Sequence, residues 1–213
     1  MGTRAALSDV TEDRGENADG LRPLVQRAIG GDRAAMRALL EGVAPIVVRA
    51  CRRVMGRSDP DVEDVAQQAL TGFVDALGTF RGASSVAHFA ERIAVYRALS
   101  ARRAAGVRRR LVDVSADGEL ALEGAHDEGP TQEARLAEHH RRGLLGQALA
   151  ALPEPQAEAL ALHFLFDHTI GEIAALVGAP AETVRSRLRL GKQALRALIT
   201  EDAALSALRE VTA

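Results

Sequence analysis

The chain of 213 residues has few aromatic side chains and almost no cysteine or lysine. Aromatic residues make up 3%, tryptophan is absent, and Cys51 and Lys192 are the single cysteine and the single lysine. One cysteine excludes an internal disulfide framework and a zinc site built from cysteines. No apolar run reaches the roughly 18 residues of a membrane span, and the N-terminus lacks the apolar core of a signal peptide. We therefore expect a cytoplasmic protein without membrane insertion.

Hydrophobic residues nevertheless make up 47% of the chain, mainly alanine, leucine and valine, which is enough for aliphatic cores. The formal net charge is −2, so the protein is not a basic coat for nucleic acid. The charge is segregated, because residues 92–112 hold seven arginines and no acid, whereas residues 113–133 hold seven acids and no arginine or lysine. The second stretch also contains four glycine or proline residues, a composition typical of a flexible linker between domains.

Helical periodicity is present on both sides of that linker, and no strand pattern is found. The sequence predicts an all-α fold with two helical domains, at residues 21–110 and 134–199, joined by an acidic flexible linker at residues 111–133. Residues 1–20 are polar and are expected to form a disordered tail. Residues 200–213 form a C-terminal extension, for which we expect a packing helix.

Capping and breaking residues set the predicted helix boundaries. Asp32 follows two glycines and is a candidate N-cap. Pro45 is interpreted as the start of a further helix that ends near Met55. A serine pair is the expected cap of a helix that ends near Ala104, and Gln156–Phe166 is expected to form one continuous α-helix.

The stretch Thr169–Arg196 predicts a helix-turn-helix. Thr169, with Glu172 three residues later, has the pattern of a capping box. Gly178 can adopt the left-handed conformation that ends a helix, and Pro180 suits the start of the next one. A short capped helix, a tight turn and a basic second helix fit the major groove of DNA. We therefore assign the C-terminal domain to the helix-turn-helix, winged-helix-like DNA-binding class.

The outward face of the second helix is strongly basic and is the expected contact with duplex DNA. Its candidate DNA-binding residues are Glu182, Thr183, Arg185, Ser186, Arg187, Arg189 and Lys192. Alone, such a unit binds weakly, since sequence-independent phosphate contacts give a Kd of about 10⁻⁴–10⁻⁶ M at physiological salt. The chain contains a single helix-turn-helix, so it needs a second copy, a second DNA-binding region or a tether.

The two helical domains, the charged linker and the C-terminal helix-turn-helix resemble the sigma-70 family of bacterial initiation factors, in particular its small extracytoplasmic-function (ECF) type. Leu152–Leu198 resembles the family's region 4 nearly throughout. The segment DVEDVAQQALTGFVDALGTFRG, from Asp61, resembles region 2.2, and SVAHFAERIAVYRALSARR, from Ser85, resembles the promoter-opening segment. The resemblance implies a sigma factor that binds the β and β′ subunits of core RNA polymerase and directs it to promoter DNA.

The resemblance also implies roles for particular residues. It places Asp64 and Gln67 at the docking site for the β′ clamp helices, with Gln68 where a glutamate is usual. It places the basic face named above on the −35 element. The residues that it implies for the single-stranded −10 element are Phe89, Arg92, Tyr96, Arg97, Arg102 and Arg103. For Phe89 and Tyr96, stacking on bases and a place in the core are both open.

Other functions are also compatible with parts of the sequence. A stand-alone helix-turn-helix regulator would require a dimer and a palindromic site, and a degenerate sigma-like protein would bind polymerase without opening promoters. An enzyme is disfavoured, because no phosphate loop, zinc signature or nucleophile elbow is found. His163 and His168 are five residues apart rather than four, so we interpret them as helix-end histidines and expect no metal or cofactor. The resemblance adds an anti-sigma factor as a further partner.

Overall fold

A computed structural model of the chain describes residues 20–112, residues 143–201 and Leu205. We refer to residues 20–112 as the N-terminal lobe and to the other described residues as the C-terminal lobe. Nearly all of the predicted tail and of the predicted linker lies outside these residues, so both stay predictions. Every regular element of the two lobes is helical, which confirms the all-α prediction. None of the helices in these lobes has both the length and the hydropathy that a membrane span needs.

The N-terminal lobe is a bundle in which one long helix contacts the other three. Its helices are α1 (Arg22–Ile29), α2 (Arg33–Met55), α3 (Val62–Ala76) and α4 (Val86–Val112), and a 3₁₀ turn (Leu77–Thr79) follows α3. α2 packs against α1, α3 and α4, and α3 also packs against α4. The largest fully buried side chains here include Leu39, Val43, Val47, Val54, Phe73, Leu77 and Leu99. The core is therefore aliphatic, as the composition predicts.

Cys51 lies on the buried face of α2 and is 0% exposed. Burial raises the pKa of the Cys51 thiol to about 12, because the thiolate would lose its hydration. The side chain therefore acts as a small apolar group in the core.

The prediction that a helix begins at Pro45 is wrong. Pro45 lies inside the single helix α2, which is capped by Asp32 through hydrogen bonds from the amides of Ala34 and Ala35 to its side chain. A proline in a helix interior costs roughly 3 kcal/mol. The apolar stripe of α2 continues on both sides of the proline, at Val43 and Val47, both 0% exposed, and burying that stripe outweighs the cost.

The C-terminal lobe is a second, smaller set of helices. They comprise residues 143–151 (α5), α6 (Glu154–Leu160), a π-helical turn (Ala161–Leu165), α7 (Ile170–Val177) and α8 (Ala181–Glu201). The prediction of one regular α-helix over Gln156–Phe166 is wrong in its second half, because the π-helical turn widens the coil there. That turn ends at Phe166, which is 2% exposed.

Two further helix ends differ from the predictions. α4 continues to Val112 rather than ending near Ala104. Arginine is a good helix former, and the segment contains no proline; its weakest helix former is Gly106, which an α-helix tolerates. α8 continues to Glu201, two residues into the predicted C-terminal extension, and Leu205 is 7% exposed. The rest of the extension lies outside the described residues.

The turn between α7 and α8 provides a stability test. Gly178 has φ 64° and ψ 35°, the left-handed region, and a Cβ added there would meet nothing within 4 Å. We expect Gly178→Ala to lower the free energy of unfolding by roughly 1–2 kcal/mol, through backbone strain alone. Urea titration followed by circular dichroism measures this change.

Gly171 provides the matched control for that substitution. It lies in the first turn of α7, and an added Cβ would approach only Thr169 Oγ1, at 4.0 Å. We expect Gly171→Ala to be neutral or to stabilise the protein by up to about 1 kcal/mol. An equal loss of stability in both variants would contradict the conformational explanation for Gly178.

Candidate nucleic-acid interface

The helix-turn-helix has the local geometry that the sequence predicts. The amide of Thr169 donates to Glu172 Oε2 at 2.7 Å, and the amide of Glu172 donates to Thr169 Oγ1 at 3.2 Å, which completes the capping box. Gly178 then reverses the chain, and α8 packs its Val184 into the same core as Ile173 of α7, both 0% exposed. These contacts fix α8 on the lobe and leave its opposite face outside.

The outward face of α8 carries the predicted −35 residues. Glu182, Arg185, Arg189 and Lys192 are exposed, and Thr183, Ser186 and Arg187 are partly exposed. Arg185 Nη1 donates to Glu182 Oε2 at 2.8 Å between two exposed side chains. Such a surface pair contributes only about 0–1 kcal/mol, so Arg185 can exchange this partner for DNA. The face is accessible in the arrangement of the lobes seen here.

Lys192 has an aromatic neighbour on this face. Its Nζ lies 4.6 Å from the ring centroid of Phe164, a cation–π distance, and Phe164 is 50% exposed. The π-helical turn brings Phe164 outward, beside α8. This contact positions the single lysine of the chain at the C-terminal side of the basic face.

The predicted polymerase-docking residues lie together on α3. Asp64, Gln67 and Gln68 are all exposed, on the face of α3 opposite its buried valines and alanines. Gln67 lines a groove of about 370 Å³ between α2 and α3, whose other lining residues are Leu40, Glu41, Ala44, Leu70, Thr71 and Val74. We call Asp64, Gln67 and Gln68 the polar ridge of α3. A polar ridge beside a mainly apolar groove can bind an amphipathic helix of a partner protein, whose apolar face fits the groove.

Three of the predicted −10 residues either pack within the N-terminal lobe or are exposed. The Phe89 ring of α4 packs against Phe73 of α3 and against Phe80, with centroid distances of 5.9 Å and 5.2 Å. It is therefore part of an aromatic cluster between α4 and α3. Tyr96 is 38% exposed, and Arg97 is exposed with its guanidinium over Gly72. The structure therefore places Phe89 in a packing role and leaves Tyr96 and Arg97 accessible.

The other three predicted −10 residues contact the C-terminal lobe. Arg92 Nε donates to Glu158 Oε1 at 2.8 Å, and its Nη1 donates to the carbonyl oxygen of Leu176 at 2.9 Å. Arg103 Nη1 lies 3.2 Å from Glu154 Oε2.

Arg102 joins the two lobes through main-chain oxygens. It donates to the carbonyl of Met55 at the end of α2 and, at 3.0 Å, to the carbonyl of Gly143. We call this contact zone, where α4 and the end of α2 face α5, α6 and α7, the interlobe seam. The seam occupies arginines that the sequence analysis assigns to DNA.

The seam contains a buried pair that the sequence patterns do not indicate. His168 Nε2 lies 2.7 Å from Glu91 Oε2, and the two side chains are 2% and 6% exposed. The interpretation of His168 as an ordinary helix-end histidine is therefore wrong. His163, by contrast, is near a helix end and contacts the carbonyl oxygen of His168 at 2.8 Å. One signal was present: Glu91 is a lone acid beside the buried alanines Ala90 and Ala94.

Close backbone approach also holds the seam. A Cβ added to Gly146 of α5 would collide with the carbonyl oxygen of Val54 at the end of α2 and with the guanidinium of Arg102. Arg53 of α2 lies 5.3 Å from the ring centroid of Phe166, across the same boundary. Buried apolar residues of the two lobes accordingly form one continuous cluster.

Comparison with known proteins identifies the family. The family model of sigma-70 region 2 matches residues 39–108, and that of sigma-70 region 4 matches residues 142–195. The ECF RNA polymerase sigma factor SigD of Mycobacterium tuberculosis is 36% identical over 177 residues, which cover 81% of this chain and 79% of the relative. The chain belongs to the sigma-70 family, in its ECF group. It is a sigma factor that directs RNA polymerase to promoters for transcription initiation.

A further relative agrees with this assignment. The ECF RNA polymerase sigma-E factor of Escherichia coli K12 is 32% identical over 174 residues, covering 81% of this chain and 90% of the relative. A solved structure of CnrH in complex with the cytosolic domain of CnrY aligns with a TM-score of 0.49 and 21% identity, over 85% of this chain and 98% of that one. Sigma factors are non-catalytic initiation factors, whose partners are core polymerase and promoter DNA.

The seam supplies a testable structural prediction. Alanine at Gly146 favours helix formation within α5, but its methyl group collides across the seam. Overpacking of this kind costs roughly 1–3 kcal/mol. We call molecules in which the seam is formed closed and molecules in which the lobes have separated open. The cost then raises the ratio of open to closed molecules about 5- to 150-fold. We expect Gly146→Ala to increase the radius of gyration in small-angle X-ray scattering. Gly143→Ala in the same helix, where an added Cβ meets nothing within 4 Å, leaves it unchanged. Identical scattering from both variants would contradict the packing described here.

Proposed function

We propose that this sigma factor reads the −35 duplex with the outward face of α8, contacts the −10 strand with α4, and docks on the β′ clamp helices through α3. The observation that carries the proposal is the α8 face itself. Four exposed cations, Arg185, Arg189, Lys192 and Arg196, lie along one stripe of a helix whose buried face packs on the lobe, and a fifth, Arg187, is partly exposed. The polymerase acts in the cytoplasm, and we propose that the sigma factor acts there too.

The chemistry of the α8 face suits duplex recognition. Arginine can donate two hydrogen bonds to O6 and N7 of a guanine in the major groove, and each such pair contributes roughly 1–3 kcal/mol of discrimination. Glu182 can accept a hydrogen bond from a cytosine amino group. Ser186 can donate a hydrogen bond to a phosphate oxygen. The remaining cations supply phosphate contacts, which position the helix without reading sequence.

Simultaneous contact with both promoter elements requires the seam to open. The −10 and −35 elements lie roughly 25 base pairs apart, or about 85 Å at about 3.4 Å per pair. A compact protein of this length has a radius of gyration of only about 17 Å. We therefore propose that the closed arrangement is an inactive conformation, and that binding to polymerase separates the lobes and releases Arg92, Arg102 and Arg103 for DNA. An anti-sigma factor stays a prediction.

The assignment of α8 predicts the effect of Arg187→Ala. Loss of a base contact should weaken −35-dependent run-off transcription by the purified holoenzyme about tenfold or more. Arg37→Ala is the matched control, since it removes one exposed arginine from α2. Equal promoter strength in both variants would place the −35 contact elsewhere.

The assignment of α3 predicts a polymerase-binding defect in Asp64→Asn. Loss of one charge-assisted hydrogen bond of about 1–2 kcal/mol should weaken binding to core polymerase roughly 5- to 30-fold, measured by fluorescence anisotropy of the labelled sigma factor. Asp167→Asn is the matched control on the other lobe, because Asp167 is exposed and has a φ of 58° that asparagine also tolerates. A similar affinity for both variants would argue against docking through Asp64.

A further inference from the structure

Two histidines and a glutamate from opposite sides of the seam converge at one point. His88 is in the first turn of α4, where its amide donates to Ser85 Oγ at 3.1 Å. His168 and Glu172 belong to the C-terminal lobe, at the start of α7. One potential ligand atom from each of the three residues lies within 4.8 Å of the other two. The rings of His88 and His168 stand at 86° to each other, with centroids 4.4 Å apart.

The hydrogen bonds around His168 and Glu172 leave donor atoms for a cation. A neutral His168 that donates its Nε2 proton to the buried carboxylate of Glu91 retains the lone pair on Nδ1. Histidines that bind metals almost always donate their other ring proton to a carboxylate or carbonyl in this way. Glu172 Oε2 accepts from the amide and the hydroxyl of Thr169, so Oε1 is the oxygen that remains.

The chemical types of the three groups also fit a cation. Glu172 offers a carboxylate oxygen and His88 and His168 each offer a ring nitrogen, and the three ligand atoms lie within 4.8 Å of one another. Carboxylate oxygens and imidazole nitrogens are ordinary ligands of transition-metal ions in proteins.

We propose that His88, His168 and Glu172 bind one divalent transition-metal ion of the zinc type across the interlobe seam, and that this ion holds the two lobes closed. Two imidazoles and one carboxylate suit zinc and its neighbours rather than calcium or magnesium, which prefer oxygen ligands. Zinc–nitrogen bonds of about 2.0–2.1 Å in a tetrahedral site separate ligand atoms by roughly 3.3 Å. Ligand atoms that start within 4.8 Å therefore need to close by at most about 1.5 Å, which side-chain rotation can provide.

The effect on transcription rests on the function proposed above. The ion has its full ligand set only when the seam is closed, because His88 and the other two ligands are on different lobes. Binding therefore stabilises the closed arrangement by mass action. The closed arrangement holds Arg92, Arg102 and Arg103 against the C-terminal lobe, so the ion opposes promoter engagement.

The test begins with direct metal binding to the untagged, full-length, metal-free protein. Cobalt(II) is the probe, because a tetrahedral cobalt site absorbs visible light. We expect one equivalent to produce that absorption and zinc to displace it. His88→Ala and Glu172→Gln should each weaken binding at least about tenfold, and glutamine at position 172 still suits the capping box. His163→Gln is the control and should bind as the unsubstituted protein does. Absence of tetrahedral cobalt absorption, or equal affinity in His88→Ala, would overturn the site.

Gly146→Ala tests whether the site depends on the closed seam without changing a ligand. We expect this variant to lose cobalt affinity in proportion to its loss of closed molecules, so that the loss is at most the roughly 5- to 150-fold shift in the ratio of open to closed molecules. We also expect zinc to reduce the radius of gyration of Gly146→Ala, but not of His88→Ala. Unchanged affinity in Gly146→Ala would show that the ligands come together without the seam, and would overturn the interlobe assignment.

Run-off transcription with core polymerase separates the regulatory effect from the function. The metal-free sigma factor should support transcription, and zinc added before the core enzyme should reduce it in the unsubstituted protein but not in His88→Ala. Equal inhibition of both would overturn regulation through this site. A metal-free protein that binds cobalt but supports no transcription would instead contradict the proposed promoter contacts, with the metal site intact.

Discussion

The buried contact between Glu91 and His168 is the interaction on which the arrangement of the two lobes depends. Each side chain is almost completely removed from water. If the lobes separate, each loses its hydrogen-bond partner and needs water in its place, because a buried polar atom without a partner is costly. Around this pair the seam contains arginine side chains, main-chain carbonyls and a glycine that admits close backbone approach, beside the buried apolar residues that join the cores of the two lobes. Polar contacts of this kind exchange readily for water or for a new partner. The seam therefore suits a reversible contact, whereas the aliphatic cores of the lobes suit permanent ones.

This arrangement divides the functional surfaces into two classes. The basic face of α8 and the exposed polar residues of α3, where we propose contacts with duplex DNA and with polymerase, are accessible with the seam closed. Arg92, Arg102 and Arg103 are engaged with acids and carbonyls of the C-terminal lobe. Because DNA phosphates offer the same kind of acceptor, we propose that the seam contacts compete with the −10 strand for these three arginines. A ligand that favours either arrangement, such as the proposed metal ion or the polymerase, changes how much of the −10 surface is available.

Sequence reasoning was most accurate where the structure is set by neighbouring residues. The capping box at Thr169 and the left-handed Gly178 are local features, and both are confirmed. The errors arose where distant packing decided the outcome. Pro45 is a helix breaker by local preference, yet the stripe from Val43 to Val47 packs against the other helices of the lobe and carries α2 through it. The spacing of His163 and His168 excluded a shared helical face, but it could not reveal that Glu91 and His88 approach from α4.

The sequence by itself determined the helical class, the family and the residue set of the α8 face, because helical periodicity, caps and a basic face are written in residues close together along the chain. Only the tertiary structure decided which of the candidate residues are accessible. Phe89 packs among Phe73 and Phe80, three of the six proposed −10 residues contact the C-terminal lobe, and Tyr96 and Arg97 face outward. For the three arginines this could not be read from spacing, because the surface that they contact is supplied by residues more than forty positions away. The free energy of that contact is a property of both surfaces together.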